Sequence, residues 1–565
     1  MNATNIVLAP KGDNPESLKD LCPISLCNVL YKITSKVLEN RLRPLINSWI
    51  SHEQATFVHS RSIMDNALTA FEILHHMRCK TKGKIGEVAL KLDISKAFDS
   101  VSWLYLQAIL DKMGFCTRWV SWMMMCITSV EYHVIFNGDR IGPITPKRGL
   151  WQGCPLSPYL YIICDEGLST IIKNRELRGQ LHGNRVCRTS PSVSHLLFAD
   201  DSFFFCKATM AEAQSLKEIL MHYENASGQA INYGKSAIAF STNTPHDIIS
   251  AISHSLGVIG AIGSGKYLGL PSMVGHNKKA IFSYLKDHIW NKCQSWSARS
   301  LSRAGKEILI KSITHAIPSY CMGAFLFHAS LCEEIERMMN SFYWGSKKNG
   351  RRGINWMRWE KLTYHKTRGG LGFHNMEAFN LSMLGKQSWK LLTDSTSLLT
   401  RILKAKYFLR RDFLDAPLGH NPSYTWRSLW STQHLLTLGH RWKIGIGSKI
   451  NVWTMPWIRG LPSLKPSTTP PLHYNDLTVA HLHTGMNSWN HALVPSLFNP
   501  SDVAAILATP LYSTQREDTR ISKASVDGSY SVKSAYCICI DLLHASITSH
   551  DNHKWMALWN LKVPP

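Results

Sequence analysis

The stretch Ser194-His195-Leu196-Leu197-Phe198-Ala199-Asp200-Asp201-Ser202-Phe203-Phe204-Phe205 constrains the chain most, because it sets two adjacent carboxylates between apolar and aromatic runs. Such flanks predict two buried strands joined by a tight turn at Asp200 and Asp201. An uncompensated buried carboxylate is costly, so the pair must either face solvent or hold a cation. An ordinary Asp-Asp turn would satisfy the same residues. Other stretches have to decide between the two.

One of them is Val88-Ala89-Leu90-Lys91-Leu92-Asp93, a strand candidate that ends in a carboxylate and runs on into Ala97-Phe98-Asp99. With Asp93 beside the hairpin, three carboxylates would meet. Like charges so close raise one another's pKa unless divalent cations neutralise them. Ligation by oxygen alone suits magnesium, and two such ions serve an in-line phosphoryl displacement. Between these carboxylates lies Lys147-Arg148-Gly149-Leu150-Trp151-Gln152-Gly153-Cys154-Pro155-Leu156-Ser157-Pro158-Tyr159. Its glycines permit close backbone approach, Gln152 offers amide contacts, and the prolines hold a loop that starts a helix through Tyr161 to Leu168. The turns Gly228 to Ser236 and Tyr267 to Pro271 follow.

Charge points the same way. Lys and Arg number 63 against 39 Asp and Glu, a net charge of +24 that favours a polyanionic partner, nucleic acid first. The 14 cysteines show no Cys-x-x-Cys and no ladder of spacings, which excludes a disulfide framework and fits reduced thiols inside a cell. No apolar run is long enough to span a bilayer, so no membrane partner is expected. A Ser-His-Asp hydrolase is set aside because no Gly-x-Ser-x-Gly elbow occurs.

In this order, the motifs resemble the reverse transcriptases of non-LTR retrotransposons, the long interspersed elements, and especially those of plant genomes. Leu92-Asp93 with Ala97-Phe98-Asp99 is similar to the first catalytic motif of the family. Gln152 to Pro158 resembles its substrate-contacting motif, and Phe198-Ala199-Asp200-Asp201 its metal-binding hairpin. Asn232 to Ser236 and Tyr267 to Pro271 resemble the two motifs that follow, while Pro23 to Asn28, Tyr31-Lys32 and Gln54 to Asn66 resemble the fingers. Further segments, including Ser302 to Lys306, Gly369 to Gly372 and Ser448 to Trp457, extend the likeness over nearly the whole chain.

The resemblance implies an α+β right-hand polymerase, with fingers, an antiparallel palm sheet and a thumb, followed by a mostly helical C-terminal region. Asp93, Asp200 and Asp201 would hold two Mg2+ ions, Mn2+ being the alternative. Phe98 would be the aromatic gate against a ribose 2′-hydroxyl. Gln152 would contact nucleotide and template, with Arg61, Arg148 and Gly153 beside the substrate, and Lys235 would protonate the leaving pyrophosphate. The implied partners are an RNA template, a DNA primer and dNTPs, in a soluble intracellular protein that works in the nucleus.

The expected divisions are 1–275 for fingers and palm, 276–345 for a thumb, 346–461 for a basic and aromatic region, 462–520 for a linker-like region and 521–565 for the start of a zinc-binding region. A first helix is expected from about Ser25, burying Leu26, Val29, Leu30, Ile33, Val37, Leu42 and Ile46.

The chain departs from the family pattern at Cys22, where an Arg is usual, at Ser60 in place of a Gly, and at Met455 in place of an Asp. Neither the usual endonuclease nor the zinc ligands are expected within it. An inactive remnant that at most binds nucleic acid is therefore a rival reading. A maturase or a viral RNA polymerase is a second rival, opposed by Phe98 and by the segments after residue 296.

Overall fold

The computed structural model describes residues 3–543 except 11, 13, 18–19, 60, 152, 263–264, 273–277, 298, 346, 349–350, 353, 485–487 and 512–515. The chain divides into two units, residues 1–273 with 397–406, and 274–396 with 407–565. This division departs from the expected one, because residues 397–406 join the first unit, where the Lys406 ammonium lies 2.7 Å from the fully buried carboxylate of Glu72.

The first unit opens with strands β1 (Ala3–Pro10) and β2 (Leu21–Leu26), followed by helices α1 (Val29–Trp49) and α2 (Ile63–Cys79). Strand β3 (Glu87–Ser95), helices α3 (Trp103–Lys112) and α4 (Thr117–Thr128), and strands β4 (Glu131–Phe136) and β5 (Asp139–Ile144) come next. Helix α5 (Ser157–Leu177), the hairpin β6 (His195–Phe198) and β7 (Asp201–Lys207), and helix α6 (Met210–Ser227) build the centre. Strands β8 (Ala230–Ile231) and β9 (Ala237–Phe240), helix α7 (His246–Leu256), strand β10 (Gly260–Ala261) and the short hairpin β11 (Lys266–Tyr267) and β12 (Leu270–Pro271) complete it.

The central sheet runs β10-β9-β3-β7-β6, with β8 also on β3, and is antiparallel except where β10 joins β9. Strands β3 and β7 are buried along most of their length, which explains their near-continuous apolar sequence. Because side chains alternate between faces, Val88, Leu90, Leu92, Phe204 and Cys206 point together into a core closed by Leu168 and Ile172 of α5 and Leu216 and Ile219 of α6. Lys91, Asp93, Asp201, Phe203 and Phe205 consequently share the opposite face. There Phe203 stacks on Phe205 and meets Tyr267 edge-on at 4.5 Å, so β11 and β12 cover part of that face. The open edge at β6 is occupied by the loop before α2: Leu197 O accepts from Ala55 N and from Asn66 Nδ2.

Helix α1 corrects the expected apolar face. It starts at Val29, capped by Asn28, and buries Tyr31, Ser35, Leu38, Leu42 and Ile46, whereas Leu26, Val29, Leu30, Ile33 and Val37 are exposed. The reason is tertiary. Tyr31 stacks on Trp151 at 4.4 Å and its hydroxyl lies 3.0 Å from Cys154 Sγ, so the first turns bury the Tyr31 and Ser35 side, while Leu42 and Ile46 are buried as expected.

In the second unit, helices dominate from Ser283–Ser297 through Met376–Thr393 to Val532–Leu543, with a compact core around Trp442, Ile450, Val452, Trp457 and Trp489. Pro462 to Pro471, which open the expected linker-like region, are fastened to this unit: the buried Asp502 carboxylate accepts from the backbone N–H groups of Ser467 and Thr468, at 2.8 Å each. The expected zinc-region start also packs into the unit, the Tyr530 hydroxyl donating to Ser382 O and Tyr536 Oη accepting from Asn375 N. Trp555 to Pro565 lie outside the described residues. No helix among the described residues is long and apolar enough to cross a membrane.

Candidate active site

The hairpin expected from sequence forms with a one-residue difference. Phe198 pairs with Asp201, so the turn residues are Ala199 and Asp200, and Asp201 is the first residue of β7. Ala199 has φ of 51°, a left-handed conformation that costs a non-glycine residue about 1 kcal/mol. The buried Tyr161 hydroxyl donates to Ala199 O at 3.4 Å and holds the turn from beneath. Asp200 is left exposed, while Asp201 is half-buried and directly opposite Asp93 in the ladder.

Burial pushes the Asp201 carboxyl above the usual carboxylate range; Lys91 opposes this, while the charges of Asp200 and Asp93 add to it. The Lys91 ammonium sits 3.4 Å from Asp201 Oδ1 and also donates to Lys266 O. Among the described residues, no three His, Cys, Asp or Glu side chains gather closely enough to hold a metal ion. The donor type is nonetheless that of a hard divalent cation's ligands: Asp93 and Asp201 face each other across the ladder, Asp200 stands at the adjoining turn, and the charges of Asp93 and Asp200 both raise Asp201, a repulsion a cation would relieve. The backbone of Asp93 is held from the other side, where Asn232 N donates to Asp93 O at 2.8 Å. That bond seats the Asn232 to Ser236 turn against β3, with Lys235 exposed on it.

The loop before α5 is pinned to the segment after β3. Gly149 N donates to Val101 O, Leu150 N donates to Phe98 O at 2.7 Å, and Trp103 Nε1 donates to Gly149 O. Gly149 has φ of 96°, and a Cβ there would stand 2.6 Å from Asp99 O, so only glycine permits this approach. Gly153 and Arg148 are exposed on the same loop, and Gln152 lies outside the described residues. The half-buried ring of Phe98 stacks on Tyr161 with centroids 4.6 Å apart. Arg61 differs from the others in having its guanidinium turned inward, donating to the carbonyls of Ser51, Gln54 and Ile50. It thereby organises the loop on the β6 edge.

Sequence reasoning missed a buried polar chain behind these residues. Gln54 Nε2 donates to Asp165 Oδ2 at 2.9 Å, and the Tyr223 hydroxyl lies 3.4 Å from Asp165 Oδ1 and donates to Gln229 Oε1. Gln229 Nε2 in turn donates to Ala97 O at 2.8 Å. Burial pushes the Asp165 carboxyl well up, favouring its uncharged form. The signal in the sequence was the acidic pair Asp165-Glu166, set in the largely apolar run Tyr159 to Leu168.

The same hairpin contains a fully buried His195, bonded through Nε2 to Ser169 and through Nδ1 to Ser194. Burial holds its pKa down at about 4, against 6.5 ordinarily, with Glu53 opposing. The folded form therefore resists protonation while the unfolded chain takes up a proton near pH 6.5, so this contribution is intact above that pH and is lost as pH falls toward 4. Thermal unfolding followed from pH 7 to 4 should show a falling midpoint that flattens in His195→Gln. An identical slope in both proteins would rule out His195 as a cause.

The family model described as "Reverse transcriptase (RNA-dependent DNA polymerase)" matches residues 9–272. The uncharacterized mitochondrial protein AtMg00310 of Arabidopsis thaliana is 36% identical over 152 residues, covering 27% of this chain and 98% of that protein. The Transposon TX1 uncharacterized 149 kDa protein of Xenopus laevis is 26% identical, over 60% of this chain and 25% of its own length. The Retrovirus-related Pol polyprotein from type-2 retrotransposable element R2DM of Drosophila melanogaster is 27% identical, over 40% of this chain and 20% of its own. The carboxylate hairpin, Phe98 and the pinned loop all fall within the matched residues. The chain belongs to the reverse transcriptases of the non-LTR, LINE-type retrotransposons. It spans a quarter or less of the two transposon relatives.

Proposed function

We propose that the chain is an RNA-directed DNA polymerase that adds dNTPs to a DNA 3′-hydroxyl on an RNA template. The observation that supports this best is the register of Asp93 opposite Asp201, one residue from the exposed Asp200. These three would hold two magnesium ions, or manganese in their place, which when bound lower the pKa of an attacking hydroxyl and offset charge on a leaving oxygen.

The chain's own residues do the rest. Phe98, stacked on the Tyr161 ring whose hydroxyl bonds the Asp200 turn, excludes a sugar bearing a 2′-hydroxyl. Gln152 and Gly153 offer amide and backbone to the nucleotide and template, with Arg148 in reach of phosphate charge. Lys235, exposed on the turn that Asp93 O holds, supplies a proton to the departing pyrophosphate. Arg61 serves the site by fixing the loop on the sheet edge. The reading carries with it a nuclear site of action, where such a primer would be met.

Extension of a labelled DNA primer on an RNA template tests the reading. Template-directed products that need a divalent cation are expected. RNA binding without any extension would replace the reading with that of an inactive remnant.

A further inference from the structure

A steric gate discriminates only as well as it is held. Excluding one hydroxyl group requires the blocking ring to stay within a fraction of an ångström, because a ring free to tilt would admit the larger sugar. Phe98 is held at three points. Its carbonyl accepts from Leu150 N at 2.7 Å, and the carbonyl before it, Ala97 O, accepts from the buried Gln229 amide at 2.8 Å. Its ring lies on the ring of Tyr161, 4.6 Å between centroids and 17° from parallel. Tyr161 is fully buried, so its ring has nowhere to retreat. Its hydroxyl donates to Ala199 O, next to Asp200.

We infer that Tyr161 is a positioning residue for sugar selection: it backs the Phe98 ring so that the gate stays rigid, and its hydroxyl ties that backing to the Asp200 turn. The two functions separate by chemistry. The aromatic face supports the gate, and the hydroxyl, which also meets the Gln229 side chain, supports the turn. The inference rests on the polymerase reading and on Phe98 as the gate.

The test compares kcat/KM for a dNTP and the matching rNTP in the full chain and three variants. Phe98→Ala establishes whether the gate exists. Tyr161→Met removes the stacked ring but fills much of its volume, and Tyr161→Phe keeps the ring without the hydroxyl. Loss of an aromatic stack corresponds to roughly a two- to tenfold change. Tyr161→Met should therefore shift the dNTP-to-rNTP ratio toward ribonucleotides by about that factor. Tyr161→Phe should keep the wild-type ratio while lowering kcat for both sugars alike.

A Tyr161→Met protein whose two efficiencies fall in parallel, while Phe98→Ala shifts the ratio, would overturn the positioning role and leave the gate standing. An unchanged ratio in Phe98→Ala would overturn the gate and this inference with it. Should Tyr161→Met fail to fold, Gln229→Leu, which frees Ala97 O at the backbone of the gate, should shift the ratio in the same direction. A wild-type ratio there would count against rigid support of Phe98.

Discussion

Asp200→Asn should lower RNA-templated incorporation by at least about a thousandfold and leave the fold intact. On the proposed reading the size follows from removing a ligand whose cation would contribute several kcal/mol of charge stabilisation in phosphoryl transfer, where each 1.4 kcal/mol is tenfold in rate. The intact fold follows from position. Asp200 is exposed at the turn, so its substitution removes no packed atom and should change stability by no more than about 0.5 kcal/mol. It also removes a charge that raises the neighbouring Asp201, so the Asp201 carboxyl should titrate at lower pH in the variant. Primer extension and an unfolding curve on the same preparation check both halves. Equal incorporation by variant and parent would sink the assignment of the hairpin.

Gly149→Ala should act by a different route. A left-handed backbone at φ 96° is strained for any side chain, and the new methyl would stand 2.6 Å from Asp99 O, which is backbone and cannot swing aside. Strain of this kind together with overpacking amounts to about 3 kcal/mol. The loop must shift, and with it the bond from Leu150 N to Phe98 O. A lower urea midpoint and reduced extension are expected together. A variant with both properties unchanged would mean that the loop is not held as described.

Between them the two substitutions separate chemistry from scaffold. The first removes charge and leaves shape alone; the second leaves every charge and alters one backbone approach.

Much of the centre was legible in the sequence because it depends on short-range pattern. Alternation in Val88 to Asp93 and the aromatic run after Asp201 are strand signals that a buried sheet requires. What failed did so where long-range partners decide. The exposed flank of α1 carries Val29, Leu30, Ile33 and Val37, and the helix is turned away from that flank by Tyr31 reaching Trp151 and Cys154. The stretch from Pro462 to Pro471 has the composition of a linker, yet Asp502 collects its backbone N–H groups. Composition reports local flexibility, not whether a distant carboxylate will bind the segment.

By itself, then, the sequence determined the α+β class, the order of motifs, and the fact that two acids had to emerge at the end of a buried hairpin, since periodicity and the cost of burying charge are local. Only the tertiary structure decided that Asp201 begins a strand in register with Asp93 while Asp200 remains at the turn. It alone placed Lys91 between Asp201 and Lys266 O, and set Tyr161 under both Phe98 and the Asp200 turn. These relations join residues distant in the chain through sheet register and packing, for which no local pattern exists.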